Sequence, residues 1–139
     1  MTEANTLDVS EPTPLGEVTV RWNGHVIKIH CSHRNMIVMQ NAWGQDDFMQ
    51  NAIQAMNFGD LDGLASMYSF CASLNGSDRL MDREEYLDLC LPLNIAIGAM
   101  RTSWHVAWNG FEEPEQLEES ERKKRWTLRR IFKPRLTAH

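Results

Sequence analysis

The chain has 139 residues, of which 42% are hydrophobic and 24% charged, and its formal net charge is -5. This length suits one domain with a hydrophobic core and is short for two. No apolar run approaches the roughly 20 residues that span a bilayer, and the N-terminus is acidic and polar, so we expect neither a membrane span nor a signal peptide. Three widely spaced cysteines favour reduced thiols and a cytoplasmic location.

Composition changes along the chain and divides it into three parts. Residues 1–14 contain two prolines and little that can be buried, which predicts a flexible lead. Residues 15–110 form the predicted domain. In the tail, residues 111–139, six acidic residues within 112–121 precede eight basic residues within 122–139. This charge order suits a helix dipole, but an isolated helix is marginal, so we expect a helical or flexible tail.

A β-hairpin is predicted at about residues 17–30, EVTVRWNGHVIKIH. Asn23-Gly24 suits a type I′ turn, in which both central residues need a positive φ. This turn makes one face of the hairpin nearly all apolar, so the hairpin must pack on another layer. The pairs predicted to face each other are Trp22 with His25, Val20 with Ile27, and Val18 with Ile29.

Five short helices are predicted to form that layer, because apolar residues recur at helical spacing between capping residues and glycine or proline. In chain order they run from a Ser32 cap to Trp43, from Asp46 or Asp47 to Gly59, from Asp60 or Asp62 to Asn75-Gly76, from Asp82 to Pro92, and from Leu93 to Trp108. The inward stripes include Ile53 on the second helix and Leu74 on the third. The predicted fold is therefore mainly α, with the hairpin packed on a bundle of about five helices.

Catalytic signatures are absent from the sequence. It contains no GxxxxGK[ST], GxGxxG, GxSxG, HExxH or CxxC motif. His30, Cys31 and His33 are close together, but a structural zinc site needs four ligands and no second pair follows. His105 has no nucleophile paired with it by any motif. We therefore expect no enzyme activity, no metal and no cofactor.

Methionine and tryptophan are the residues that suggest a binding surface. Methionine fills irregular gaps and tolerates varied partners, and of the five tryptophans Trp104, Trp108 and Trp126 cannot all be buried in so small a protein. Ordinary core packing is the alternative explanation for these residues. The candidate partner-binding residues are Met36, Met39, Trp43, Trp104 and Trp108.

The tail offers a second kind of candidate, a charged arm. Its basic run places aromatic residues between cations, as in many nucleic-acid-binding segments. A solvated face or a protein-docking arm is the alternative. The residues of this arm are Arg122, Lys123, Lys124, Arg125, Arg129 and Arg130.

Residues 17–110 resemble the tail assembly chaperones of long-tailed bacteriophages and gene transfer agents. The resemblance rests on the order of EVTVRWNGHVIKIH, NAWG, FGDLDGLASMYSF, DREEYLDL, the LPL step and NIAIGAMRTSWHVAW. It implies a late viral protein of the host cytoplasm that binds the tape measure protein, keeps it soluble while the tail tube assembles, and is absent from the mature virion.

The resemblance also implies a longer product in many phages, made by a -1 ribosomal frameshift, whose extension recruits tail tube subunits. Arg122-Lys123-Lys124 is compatible with a slippery codon run. We expect self-association as well, because repeated weak contacts suit a long helical partner. The alternative function is a small nucleic-acid-binding regulatory or packaging protein that uses the basic tail.

Overall fold

The computed structural model describes residues 7–111, which form four strands and five helices. In chain order they are β1 (Leu7–Val9), β2 (Glu17–Trp22), β3 (His25–His30), α1 (His33–Trp43), α2 (Phe48–Asn57), α3 (Leu61–Cys71), β4 (Ala72–Leu74), α4 (Arg83–Leu89) and α5 (Leu93–Asn109). The strands form one antiparallel sheet in the order β1-β2-β3-β4. About 53% of these residues are helical, so the fold is mixed α and β, and the prediction of a mainly α fold is imprecise.

The predicted hairpin is confirmed in position and register. Asn23 and Gly24 form its turn with φ values of 52° and 83°. All three predicted pairs face each other across β2 and β3. The apolar face of the hairpin is fully buried, with the side chains of Val18, Val20, Ile27 and Ile29.

Strand β1 lies where the sequence predicted a flexible lead. It pairs antiparallel with β2, with Leu7 opposite Trp22. The Ser10 N–H donates to the Thr19 carbonyl at 2.9 Å, and the Thr19 N–H donates to Ser10 Oγ at 2.9 Å. These backbone bonds satisfy the outer edge of β2, so the described domain begins at least eight residues before the predicted start at Leu15. The remainder of the predicted lead, residues 1–6, lies outside the described residues.

Helix α3 ends earlier than predicted because its continuation joins the sheet. Residues 72–74 form β4, and Leu74 lies opposite Ile27 on β3 instead of on a helical stripe. The Asn75 side chain closes the connection, since its Oδ1 accepts the Val26 N–H at 2.8 Å. Residues 72–74 therefore pair with the free edge of β3, although their spacing had predicted one more turn of helix.

Helix boundaries otherwise follow the capping signals. Ser32 and Asp60 accept hydrogen bonds from backbone N–H groups three residues later, as N-caps do. Asp82 and Glu85 form the predicted capping box at the start of α4. One predicted inward residue is wrong: Ile53 on α2 is exposed, and the buried side of that helix contains Ala52, Ala55 and Met56.

The core lies between the sheet and the helices, with α5 packed against both β2 and β3. Two polar side chains tie distant segments to carbonyl groups: the Tyr68 hydroxyl donates to Ala96 O at 2.7 Å, and Trp22 Nε1 donates to Leu89 O at 2.9 Å. These bonds hold the start of α5 and the end of α4 against α3 and β2. The core therefore fixes which sides of α3, α4 and α5 face outward.

Candidate partner-binding surface

Helix α5 presents two tryptophans on one flank. Trp104 and Trp108 are one turn apart, and their rings lie 5.8 Å from centroid to centroid at 41°. Trp104 is partly buried against the core, whereas Trp108 has 52% of its surface exposed. The buried side of α5 contains Ala96, Ala99, Met100, Ser103 and Val106, and the tryptophans lie beside it. The pair places two aromatic rings, one of them half exposed, near the C-terminal end of α5.

The three candidates on α1 lie closer to the core than the tryptophans on α5. Met39 is completely buried, so it cannot contact a partner in this conformation. Met36 and Trp43 are partly buried, and the Trp43 ring packs edge-to-face on Phe70 of α3 at 5.2 Å. The stripe that suggested a binding surface on α1 thus mainly joins this helix to the core. The structure does not unite it with the α5 pair through any described aromatic contact.

Sequence reasoning missed the most exposed aromatic side chain of the described residues. Phe58, which follows α2, has 78% of its surface exposed, and Leu61 in the first turn of α3 has 54%. Both lie beside Gly59 and Asp60, which end one helix and begin the next. An apolar residue at such a junction has no periodic stripe that would predict where it points. The signal that could have indicated the exposure of Phe58 was its position directly before Gly59 and the Asp60 cap.

Buried polar groups of the domain hold the structure together. Ser103 Oγ donates to Gly16 O at 2.7 Å and accepts the Cys31 N–H at 2.8 Å. A hydrogen bond with Cys31, together with burial, raises the pKa of the Cys71 thiol well above its usual range. Both thiols are buried in the core, and Cys71 also lines a shallow depression at the surface.

The two stacked core tyrosines are held in their neutral form. Their rings lie 4.4 Å from centroid to centroid. Burial raises the pKa of Tyr86 to about 12 and that of Tyr68 well above its usual value. The Tyr68 hydroxyl donates to Ala96 O, and the two rings pack against each other in the core.

Four further features bear on function. The outer face of the sheet bears a shallow polar depression lined by Arg34 and by Lys28, whose Nζ lies 3.4 Å from Glu17 Oε2. Within residues 7–111 no cluster of three His, Cys, Asp or Glu side chains is placed to hold a metal ion. No described helix is long and apolar enough to cross a membrane. The predicted charged arm, residues 122–139, lies outside the described part of the chain.

Comparison with protein-family models, curated proteins and solved structures finds no match to the chain.

Proposed function

We propose that the protein is a tail assembly chaperone of a long-tailed bacteriophage or gene transfer agent. It binds the tape measure protein in the host cytoplasm, keeps it soluble and promotes assembly of the tail tube around it, without becoming part of the mature virion. A -1 frameshifted longer form recruits the tail tube protein. The basis for this proposal is the order of elements in residues 17–110 and the character of the helical surface.

The observation that carries the proposal is the tryptophan pair on α5. Tryptophan is enriched among the residues that dominate binding energy in interfaces, and Trp108 is more than half exposed beside Trp104. Long amphipathic helices bind by placing an apolar stripe against such a surface. A tape measure protein presents these stripes along its length, and several copies of the domain bound side by side cover them.

The test is coexpression of the full chain with the tape measure protein of the same virus. We expect the tape measure protein to remain in the soluble fraction and to copurify with the chain. Trp108→Ala should weaken binding roughly tenfold or more, since a tryptophan at an interface centre contributes about 2 kcal/mol. The matched control is Ile37→Ala, because Ile37 is 55% exposed and lies on α1, which packs chiefly on α2 and α3.

Two results would contradict the proposal. One is a tape measure protein that aggregates equally with and without the chain. The other is a Trp108→Ala chain that folds normally, by circular dichroism, and binds as tightly as the original. Equal losses in Trp108→Ala and Ile37→Ala would show a general effect of exposed apolar residues and would also reject the assigned surface.

The competing function is nucleic-acid binding, favoured by eight basic and no acidic residues in 122–139. It requires binding that weakens steeply with salt, with log K falling by about 0.7–0.9 for each phosphate contacted per unit of log salt concentration. Removal of residues 122–139 would abolish such binding. The same removal should leave most of the tape measure binding intact if α5 supplies the interface.

A further inference from the structure

A second apolar surface lies on the opposite end of the helical layer, where α3 begins and α4 packs beside it. Arg83 of α4 donates to the Asp62 carbonyl at 3.1 Å and pairs with the Asp62 carboxylate, so the two helix starts are held together. Leu87 follows Arg83 by one turn and is 48% exposed. Together with Phe58 and Leu61, it leaves three large apolar side chains open to solvent on this surface.

The segment that contains these apolar side chains is rich in carboxylates. Residues 58–90 contain seven acidic and two basic residues, and both arginines, Arg79 and Arg83, already pair with carboxylates of the same segment. Glu84 and Asp88 are exposed on α4 and have no ion-pair partner among the described residues. We define the acidic helical face as Phe58, Asp60, Leu61, Asp62, Glu84, Leu87 and Asp88. It combines apolar contact area with a surplus of negative charge.

We propose that the acidic helical face binds the basic C-terminal segment of the same chain, residues 122–139. This segment is complementary in both respects, because it has eight basic and no acidic residues and interleaves them with apolar side chains. Its apolar residues are Trp126, Leu128, Ile131, Phe132 and Leu136. The proposal goes beyond the chaperone function and does not depend on it.

The chain is long enough for this contact. Helices α3 and α5 run in the same direction, since Tyr68 bonds to Ala96, and Cys71 and Met100 further along both adjoin Cys31. At 1.5 Å per residue, the end of α5 therefore lies about 30 Å along this axis from the start of α3. Residues 112–121 between Phe111 and the basic segment extend to at most about 35 Å. The segment thus reaches the face within one molecule.

Zero-length carbodiimide cross-linking of the full chain, read by mass spectrometry, tests this contact. The chain has four lysines, of which Lys28 lies in the described domain and the other three in residues 122–139. Lys28 lies 3.4 Å from Glu17 and supplies an internal positive control. We expect Lys123, Lys124 or Lys133 to link to carboxylates of the acidic helical face, with yields that fall at 1 M salt, where the Debye length is about 3 Å.

Isotopic mixing distinguishes links within one molecule from links between molecules, and substitutions test the apolar part of the contact. In an equal mixture of light and nitrogen-15-labelled chains, links should join peptides of the same label. The double variant Phe58→Ser, Leu87→Ser should lower the yield of cross-links to Glu84 and Asp88 roughly three- to tenfold, because each substitution removes part of the apolar contact. The control variant Leu15→Ser should leave this yield unchanged. Links confined to residues 112–121, links spread equally to Asp8 and Glu11, or mixed-label links would each overturn the proposal.

Discussion

Ser103 is the most consequential polar side chain of the core. It is completely buried, and its hydroxyl serves two backbone groups from different segments, the Gly16 carbonyl and the Cys31 N–H. Buried backbone groups without a partner are costly, so one small side chain secures the loop before β2 and the end of β3 at once. Among the described residues, Ser103 is the only buried residue of a polar or charged type.

Replacement of this hydroxyl should destabilise the protein. Ser103→Ala leaves both backbone groups unpaired, and we expect the free energy of unfolding to fall by about 2–4 kcal/mol. Urea denaturation followed by circular dichroism measures the change. Ser69→Ala is the control, because Ser69 Oγ bonds only to Ser66 O within its own helix and is partly exposed. A loss no larger than that of the control would mean that water or a rearranged backbone replaces the Ser103 hydroxyl.

Arg79 controls the ionisation of one carboxyl at the start of α4. Its guanidinium donates to Glu85 Oε1 at 2.9 Å and Oε2 at 3.1 Å, and this hydrogen bonding lowers the pKa of Glu85 below its ordinary value. Because the folded-state pKa is depressed, the contact is present at neutral pH. Its contribution is lost as the pH falls through the folded pKa, in the acid range below the ordinary value of 4.5.

Arg79→Gln should therefore raise the pKa of Glu85. A carbon-detected NMR titration of the side-chain carboxyl measures the midpoint directly. Arg83→Gln is a suitable control, since Arg83 pairs with Asp62 and not with Glu85. If the midpoint of Glu85 were the same in the original chain and in Arg79→Gln, the bidentate pair would be absent in solution.

Helical spacing in the sequence did not distinguish exposed candidates from buried ones. Trp108 lies one turn beyond Trp104, at the end of the apolar stripe of α5, where its side chain extends past the core and is exposed. Met39 has the same kind of spacing on α1 but is buried, because α3 packs against that helix. Spacing identifies the apolar side of a helix. How deeply each side chain on that side is buried depends on which other elements pack against it, and nearby sequence does not show this.

At the scale of whole elements, two helical glycines have opposite roles. A Cβ atom at Gly63 would lie 2.6 Å from Asp60 Oδ2 and 3.2 Å from the Ala55 Cβ, because α2 approaches the first turn of α3. A Cβ atom at Gly98 would meet nothing within 4 Å. One glycine allows a close helix contact, and the other lies in an open position of α5.

Alanine substitution should separate these roles. Gly98→Ala should stabilise the protein by about 0.5–1 kcal/mol, since alanine loses less backbone entropy in a helix. Gly63→Ala should destabilise it by roughly 1 kcal/mol, because the Asp60 cap must move and the helices must separate slightly. Thermal unfolding of both variants gives the comparison. A stabilising Gly63→Ala would show that the Asp60 carboxylate moves without loss of its cap.

Prediction succeeded for elements whose signals are local. The Asn23-Gly24 turn and the Asp82 capping box depend on residues within a few positions, so sequence alone located them. Strands β1 and β4 are only three residues long, and each exists because the hairpin offers a free edge for pairing. Such a strand has too few residues to show an alternating pattern, which explains why both were missed.

At the scale of the whole molecule, β1 protects the sheet. It covers the edge of β2, which would otherwise present unpaired backbone groups to other chains. Deletion of residues 1–10 should lower the free energy of unfolding by about 2 kcal/mol, from the lost backbone bonds, and promote association at high concentration. Urea denaturation and size-exclusion chromatography over a concentration series measure both effects.

A milder variant provides the comparison for this deletion. Ser10→Ala removes only the bond from the Thr19 N–H to the Ser10 hydroxyl and keeps the backbone bond from Ser10 to Thr19. We expect a smaller loss and no association. A deletion that matched the full chain in both measurements would mean that β1 does not pair with β2 in solution.

The position of α5 at the end of the described domain has a consequence for synthesis on the ribosome. This helix covers β2 and β3, which are made first, and it supplies the Ser103 hydroxyl that joins them. Until residues 93–109 emerge, a nascent chain carries an uncovered sheet face containing Val18, Val20, Ile27 and Ile29. A protein that we propose shields the apolar helices of another protein therefore exposes an apolar surface of its own until translation has passed α5.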